Sequence, residues 1–145
     1  MIGVTKESHM KRTLLLNRHV SKLIASLGHT DEIVIGDAGL PIPHNVGVID
    51  LAVSPGVPRF FDVLDAVAQE LIVEQAVFAT EAGPNLATEI EVRLTHWAAE
   101  TGKPIEHVRV PHEEFKARTS RARAVIRTGE CTPYANIILR SGVPF

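Results

Sequence analysis

The sequence predicts an α/β fold: a single domain in which helices flank a mostly parallel, mixed central sheet in three layers. Helix-like and strand-like stretches alternate along the whole chain, which is typical of parallel strands joined by crossover helices. The chain has 145 residues, of which 45% are hydrophobic, enough for one core of its own. It contains neither an internal repeat nor a low-complexity segment.

The first helix is predicted to follow Asn17, whose side chain suits the N-cap position. Its apolar face has helical spacing and comprises Val20, Leu23, Ile24 and Leu27. Gly28 is predicted to end this helix in the left-handed conformation. Buried strands are predicted over 32–37 and 46–53, with a turn at "SPGVP" after the second. His29 should therefore lie between a helix end and a strand.

The second half of the chain continues the alternation. A helix beginning near Arg59 is followed by a β-prone run over 71–80. Pro84 suits the first turn of the next helix. The apolar stripe of that helix comprises Leu86, Ile90, Leu94 and Trp97. A strand over 105–110, a short helix beginning at "PHEEFK", and two short strands in "AVIRTG" and "YANIILRSG" complete the prediction.

Charge and composition exclude several classes of partner. The formal net charge of −2 gives no bulk attraction to nucleic acid or anionic lipid. The basic cluster over 116–127 is interpreted as a solvated helix face and strand edge, with phosphate binding as the less favoured alternative. No apolar run is long enough to span a membrane, and no signal peptide is visible. The one cysteine, Cys131, cannot form an intrachain disulfide, which fits a cytoplasmic location.

The first residues are interpreted separately from the fold. The "SHM" at positions 8–10 looks like a cloning scar or an alternative start. Residues 1–9 are therefore interpreted as an N-terminal extension, and residues 10–145 as the single domain.

Motifs for metals and cofactors are absent. The seven histidines form neither an HxxxH nor an HExxH pair, and one cysteine cannot build a thiolate zinc site. The phosphate-binding patterns GxxxxGK[ST] and GxGxxG are missing, as is the nucleophile motif GxSxG. We therefore predict no metal and no cofactor.

Acid–base chemistry is the remaining possibility, and "GHTDEIVIGDAGLPIP" supplies two candidates. His29 follows a predicted helix C-terminus, whose dipole favours the imidazolium. Asp37 follows the strand at its carboxyl end, where open α/β sheets bind ligands. One rim could hold both side chains. The alternatives are a histidine that caps the helix by bonding a carbonyl, and a turn aspartate that bonds backbone N–H groups. Spacing alone favours these alternatives.

A second group of candidates lies in "TGECTPYANIIL". Glu130, Tyr134 and Asn136 surround a proline turn, and their groups suit a ligand with many hydroxyls. The alternative is a turn whose asparagine bonds its own backbone. Cys131 is interpreted as an inert small residue.

These two segments, with "SGV" near the end, closely resemble the D-ribose pyranase family, and the resemblance runs from about Met10 to Phe145. It implies an enzyme without cofactor that interconverts the β-pyranose and β-furanose forms of D-ribose. It also implies ring-shaped homo-oligomers, often decamers of two stacked pentamers, with active sites between neighbouring subunits. The catalytic histidine of the family falls on His29. Its sugar-binding positions fall on Asp37, His112, Tyr134, Ala135 and Asn136.

Two rival functions stay open at this point. An L-fucose mutarotase would use the same proton chemistry in a different pocket, although its second motif lacks the "TPYAN" form. A non-catalytic sugar-binding or transport-accessory protein would use the same hydroxyl partners. The exposed surface of so small a chain and the apolar "SGVPF" ending lead us to expect a homo-oligomer, with a monomer whose tail packs on its own sheet as the alternative.

Overall fold

The computed structural model describes residues 11–145, so the interpretation of residues 1–9 lies outside the described residues. Within that range the elements are, in chain order, α1 (Arg18–Ser26), β1 (Glu32–Gly36), β2 (Gly47–Asp50), α2 (Phe60–Ala68), β3 (Val73–Ala79), α3 (Pro84–Thr101), β4 (Glu106–Val110), α4 (His112–Arg118), a short 3-10 turn (Thr119–Arg121), β5 (Ala124–Arg127) and β6 (Ile137–Ser141).

The sheet has six strands in the order β2-β5-β1-β6-β3-β4. β6 runs antiparallel to both of its neighbours, β1 and β3, while the other neighbouring pairs are parallel. The sheet is therefore mixed and mostly parallel, as predicted. Because β6 is reversed, it begins where β1 and β3 end. This is one of the two edges of the sheet that are formed by strand ends. Residues that precede β6 consequently meet residues that follow β1, which places the two sequence motifs together.

The two faces of the sheet are covered unequally. The helices α1, α2 and α3 bury one face in a large core that includes Phe60, Phe78 and Trp97. Fully burying each large apolar side chain contributes about 1.5–3 kcal/mol. The opposite face carries the alternate strand residues Val34, Val77, Val125 and Ile138. A smaller cluster around Phe115 of α4 covers them. The predicted three layers are confirmed, with one outer layer thinner than the other.

Most local signals act as expected, and Gly28 is the exception. Asn17 Oδ1 accepts the His19 and Val20 N–H groups at 3.0 and 2.9 Å and so caps α1. Helix α1 ends at Ser26, and its C-cap Leu27 is extended. The left-handed conformation belongs to Thr30, with φ 73°, and Gly28 does not adopt it. The Asp31 carboxylate accepts the Gly28 N–H at 2.8 Å, so a side chain rather than a left-handed glycine fixes this exit.

Candidate functional site

A reciprocal pair of hydrogen bonds joins Asp37, which follows β1, to Asn136, which precedes β6. The Asp37 N–H donates to Asn136 Oδ1 at 2.7 Å, and Asn136 Nδ2 donates to Asp37 Oδ2 at 3.0 Å. Asn136 is only 1% exposed. The two residues lie 99 positions apart in the chain, so only the reversed strand β6 brings them together.

Neighbouring backbone groups hold this pair rigidly. The Thr128 hydroxyl donates to the Gly36 carbonyl at 2.8 Å, and the Ala38 N–H donates to the Glu130 carbonyl at 2.8 Å. Gly36 is closely packed: a Cβ there would lie 2.7 Å from Leu40 Cδ2, so a side chain would have to displace Leu40. Such a network fixes the position of the Asp37 carboxylate before any ligand arrives.

Asp37 also makes the turn contact that the alternative interpretation required. Its Oδ1 accepts the Gly39 N–H at 2.8 Å. A carboxylate offers about four lone-pair positions, so roughly two remain after the bonds from Gly39 and Asn136. The turn role and a ligand role are therefore compatible.

Tyr134 and His112 extend the rim of the sheet that holds Asp37. Tyr134 has φ 67°, a left-handed conformation uncommon for a residue other than glycine, and Ala135 after it is 1% exposed. The Tyr134 ring meets the His112 ring edge-on, with centroids 5.1 Å apart. On its other side His112 stacks on Phe115 at 6.1 Å. His112 Nδ1 is buried and has no hydrogen-bond partner among the described residues.

Glu81 bonds the backbone of His112 and was not found from the sequence. Its two carboxylate oxygens accept the backbone N–H of His112, the first residue of α4, at 3.0 and 3.2 Å. Desolvation raises the pKa of Glu81, but hydrogen bonds from backbone N–H groups and from the Thr80 hydroxyl outweigh it and lower the net pKa. A charged carboxylate therefore stands at the start of α4, where the helix dipole favours it.

Glu130 points away from the Asp37 pair. Its Oε1 accepts the Phe60 N–H at 2.9 Å at the start of α2, and its Oε2 accepts from the Thr132 hydroxyl at 2.8 Å. Desolvation raises the pKa of Glu130, yet these hydrogen bonds and Arg59 lower it more. Glu130 thus serves α2 as an N-terminal acceptor. Its neighbour Cys131 is exposed.

His29 lies at the opposite edge of the sheet. The Thr30 N–H donates to the Ser141 carbonyl at 2.9 Å, at the far end of β6 from Asn136. Five residues of extended strand span roughly 16 Å. The interpretation that one rim of a single chain holds both His29 and Asp37 is therefore wrong. The cause is that β1 itself separates them.

The surroundings of His29 are open. Its side chain is 54% exposed, and its Nε2 lies 2.6 Å from Oε1 of Glu74, at the start of β3. The capping alternative predicted a bond to a carbonyl, whereas the observed partner is a carboxylate. Like Glu81, Glu74 was not found from the sequence, because neither residue belongs to a local motif.

Residues 11–145 contain no group of three or more His, Cys, Asp or Glu side chains placed to hold a metal ion. None of the helices in the same range combines the length and the apolar character needed to cross a membrane.

Comparison with known proteins places the chain in a family. Residues 10–144 match the model of the RbsD / FucU transport protein family. The chain therefore belongs to the RbsD/FucU family. Among curated relatives, D-ribose pyranase of Vibrio campbellii is 51% identical, covering 94% of this chain and 100% of its own. D-ribose pyranase of Geobacillus thermodenitrificans is 53% identical, covering 94% and 99%.

Solved structures agree with this placement. Bacillus subtilis RbsD complexed with D-ribose superimposes with a TM-score of 0.81 at 45% identity, covering 94% of this chain and 100% of that one. The fucose mutarotase from Streptococcus pneumoniae in complex with L-fucose gives a TM-score of 0.69 at 26% identity, covering 88% and 93%. The ribose-bound relative is thus the more similar of these two in both sequence and fold.

Proposed function

We propose that this chain is a D-ribose pyranase, a sugar ring isomerase that interconverts β-D-ribopyranose and β-D-ribofuranose. The observation that carries the proposal is the preorganised Asp37–Asn136 pair, set in a chain about half identical to curated pyranases along almost its whole length. Such a pair offers fixed acceptors and donors to a polyhydroxylated ligand, and little reorganisation is needed when the ligand binds.

The reaction moves protons only. The anomeric hydroxyl loses its proton, the ring oxygen gains one, and the C1–O bond to the ring oxygen breaks to give the open-chain aldehyde. After rotation, a different hydroxyl closes on C1 and the proton transfers run in reverse. No electrons or groups leave the sugar, so the chemistry requires no cofactor. General acid–base assistance contributes roughly 10²–10⁴-fold, a suitable scale for a reaction that already proceeds slowly in water.

Each proposed residue has a role that fits its chemistry. Asp37 accepts hydrogen bonds from sugar hydroxyls, Asn136 donates to them through its amide N–H, and His112 is the proposed third sugar contact. The Tyr134 ring gives an apolar surface and a hydroxyl, and Ala135 contributes its backbone. His29 is the proposed acid–base group, since imidazole exchanges protons near neutral pH.

A neighbouring copy would complete this site. His29 and the Asp37 rim face opposite edges of one chain, so a second chain must supply the histidine if both act on one sugar. A head-to-tail contact repeated by rotation makes a ring when the rotation closes, and we propose an assembly of ten subunits, the number that the family resemblance implies. Phe145, which is 92% exposed on the single chain, would be covered in such an assembly. Light scattering tests the ring: a monomer at micromolar concentration would refute it.

We further propose that the enzyme acts in the cytoplasm in ribose catabolism. The unpaired single cysteine supports the location, and the relatives named D-ribose pyranase support the role in ribose catabolism. Fractionation of the native cells, followed by detection of the chain in the soluble cytoplasmic fraction, would test the location.

Exchange NMR on D-ribose tests the activity. With a pyranase, saturation transfer between the pyranose and furanose anomeric signals should show much faster exchange than in buffer alone. A sugar-binding protein without activity would shift ligand signals and leave the exchange rate unchanged. Faster exchange on L-fucose than on D-ribose would instead indicate a fucose-type mutarotase. Either of the last two results would overturn the proposal.

A further inference from the structure

The carboxylate of Glu74 lies against the imidazole of His29, the proposed acid–base group. Glu74 Oε1 is 2.6 Å from His29 Nε2. An ionised carboxylate can only accept a hydrogen bond, so Nε2 carries the proton in this contact. In the neutral imidazole, Nδ1 is then the nitrogen without a proton, and it is the atom that can take one from a sugar hydroxyl.

The backbone of β3 aims Glu74 at this position. Val73 pairs with Ser141 of β6, and Gln75 pairs with Arg140, so the register shifts between them. Two steps on β3 oppose one step on β6, which leaves Glu74 as the extra residue of a β-bulge. Bulges redirect a side chain and are frequent beside functional sites.

Two more features fit closely around the pair. Thr30, the residue after His29, has φ 73°, an uncommon conformation for a β-branched residue. Gly142 faces Glu74 across the bulge: a Cβ at Gly142 would lie 3.4 Å from Glu74 Cβ, tighter than most such contacts. Its N–H donates to the Ile72 carbonyl at 2.8 Å and ties the strand end to the bulge.

Other charged groups at this edge already have partners. Arg123 donates to Asp31 at 2.8 Å, and Arg140 donates to the buried Glu32 at 3.2 Å. Glu74 is thus the carboxylate within hydrogen-bond distance of the His29 ring.

We infer that Glu74 is a positioning residue for His29: it fixes the Nε2–H tautomer and leaves Nδ1 to exchange the proton with the sugar. This inference rests on the proposed function. It resembles the arrangement in which a carboxylate orients a catalytic histidine through the ring nitrogen that does not react.

Ring exchange in three variants forms the first test. Glu74→Ala should lower the turnover number by about tenfold to a hundredfold, a usual loss when the carboxylate behind a functional histidine is removed. The D-ribose KM should stay within about twofold, because Glu74 holds the histidine and not the sugar. Glu74→Gln, which can still accept a hydrogen bond from Nε2, should retain more activity than Glu74→Ala. Glu74→Asp, which keeps the carboxylate on a shorter side chain, should also retain more activity than Glu74→Ala. Glu106→Gln, which alters the partner of Gln75, is the matched control and should leave turnover unchanged. Unchanged turnover in Glu74→Ala would overturn the inference.

Nitrogen NMR of the His29 ring is the second test, and it does not depend on activity. The signals are assigned by their loss in His29→Ala. The wild type and Glu74→Gln should show a protonated Nε2 and an unprotonated Nδ1, and Glu74→Ala should show a mixture of tautomers. A wild-type ring protonated at Nδ1 alone would overturn the inference even if no variant folds. A wild type that does not accelerate ribose exchange would overturn the proposed function, while the ring spectrum would still test the Glu74 contact.

Discussion

The two edges of the sheet differ in how completely their polar groups are bonded within the chain. At the edge that holds Asp37 and Asn136, these two residues bond each other, and Asp37 also accepts the Gly39 N–H. The Thr128 hydroxyl and the Glu130 carbonyl bond the backbone on either side of Asp37. At the other edge, His29 has a 54% exposed side chain and is bonded to Glu74. We propose that the first edge is a preorganised binding surface, the binding edge, and that the second, which presents the exposed His29 imidazole, is the acid–base edge.

This difference bears on how a small chain builds an active site. The binding edge needs rigidity, which the reversed strand β6 supplies by joining residues 99 positions apart. The acid–base edge needs an accessible ring, which a partner molecule can reach. We propose that a neighbouring copy brings its acid–base edge to this binding edge, as in the ring of subunits proposed above.

The largest expected effect is at the open edge. His29→Ala should reduce ring exchange by about 10²–10⁴-fold, the usual contribution of a general acid–base group. The fold should persist, because a half-exposed side chain contributes little to the core. Exchange NMR on D-ribose and circular dichroism measure the two properties. His96→Ala alters another exposed histidine, 75% exposed on α3, and is the control. Wild-type exchange rates in His29→Ala would exclude the acid–base role.

A smaller effect is expected at the binding edge. Asp37→Asn should weaken D-ribose binding by roughly 1.5–3 kcal/mol, the value of a hydrogen bond to a charged group. The variant also loses one acceptor, so either Gly39 or Asn136 must give up its bond. Titration calorimetry measures the affinity for D-ribose, and thermal unfolding measures the stability lost with that internal hydrogen bond. Unchanged affinity with lowered stability would show that Asp37 acts as a turn residue alone.

The smallest effect concerns the support of the α2 N-terminus by the Glu130 side chain. Its pKa lies below the usual 4.5, so its stabilising contribution is complete above about pH 4.5 and is lost as the pH falls through the folded-state value. Glu130→Gln should lower the free energy of unfolding by about 1 kcal/mol at pH 7. The difference from wild type should shrink in acid. Urea unfolding at pH 7 and pH 3 measures it. A difference that grows in acid would contradict the assigned cause.

Much of the fold was predictable because its signals are local. Asn17 as a cap, Pro84 in the first turn of α3 and the alternation of helices and strands all act within a few residues. Strand ends were less accurate: the last strand begins at Ile137, not at Tyr134, because Tyr134 is left-handed. Gly28 was assigned the wrong conformation. The Asp31 carboxylate bonds the Gly28 N–H, so the chain leaves α1 without a left-handed glycine.

The candidate site was predictable only in part. Residue types around two turns indicated His29, Asp37 and Asn136, and the family resemblance added His112. Their arrangement was not predictable from spacing, since it depends on β6 running antiparallel between β1 and β3. Glu74 and Glu81 were missed for the same reason. A bulge and a contact between loops bring them into place, and neither leaves a pattern in the sequence.

Subunit mixing tests most directly whether two chains share one site. His29→Ala and Asn136→Ala chains, each inactive alone, are mixed, dissociated and reassembled, and their mixing is verified by mass spectrometry. If neighbouring chains contribute His29 and Asn136 to one pocket, random rings should place both intact residues at about a quarter of the sites. We predict that ring exchange on D-ribose returns to about that fraction of the wild-type rate. No recovery in verified mixed rings would mean that each site is built within one chain, and would contradict this account.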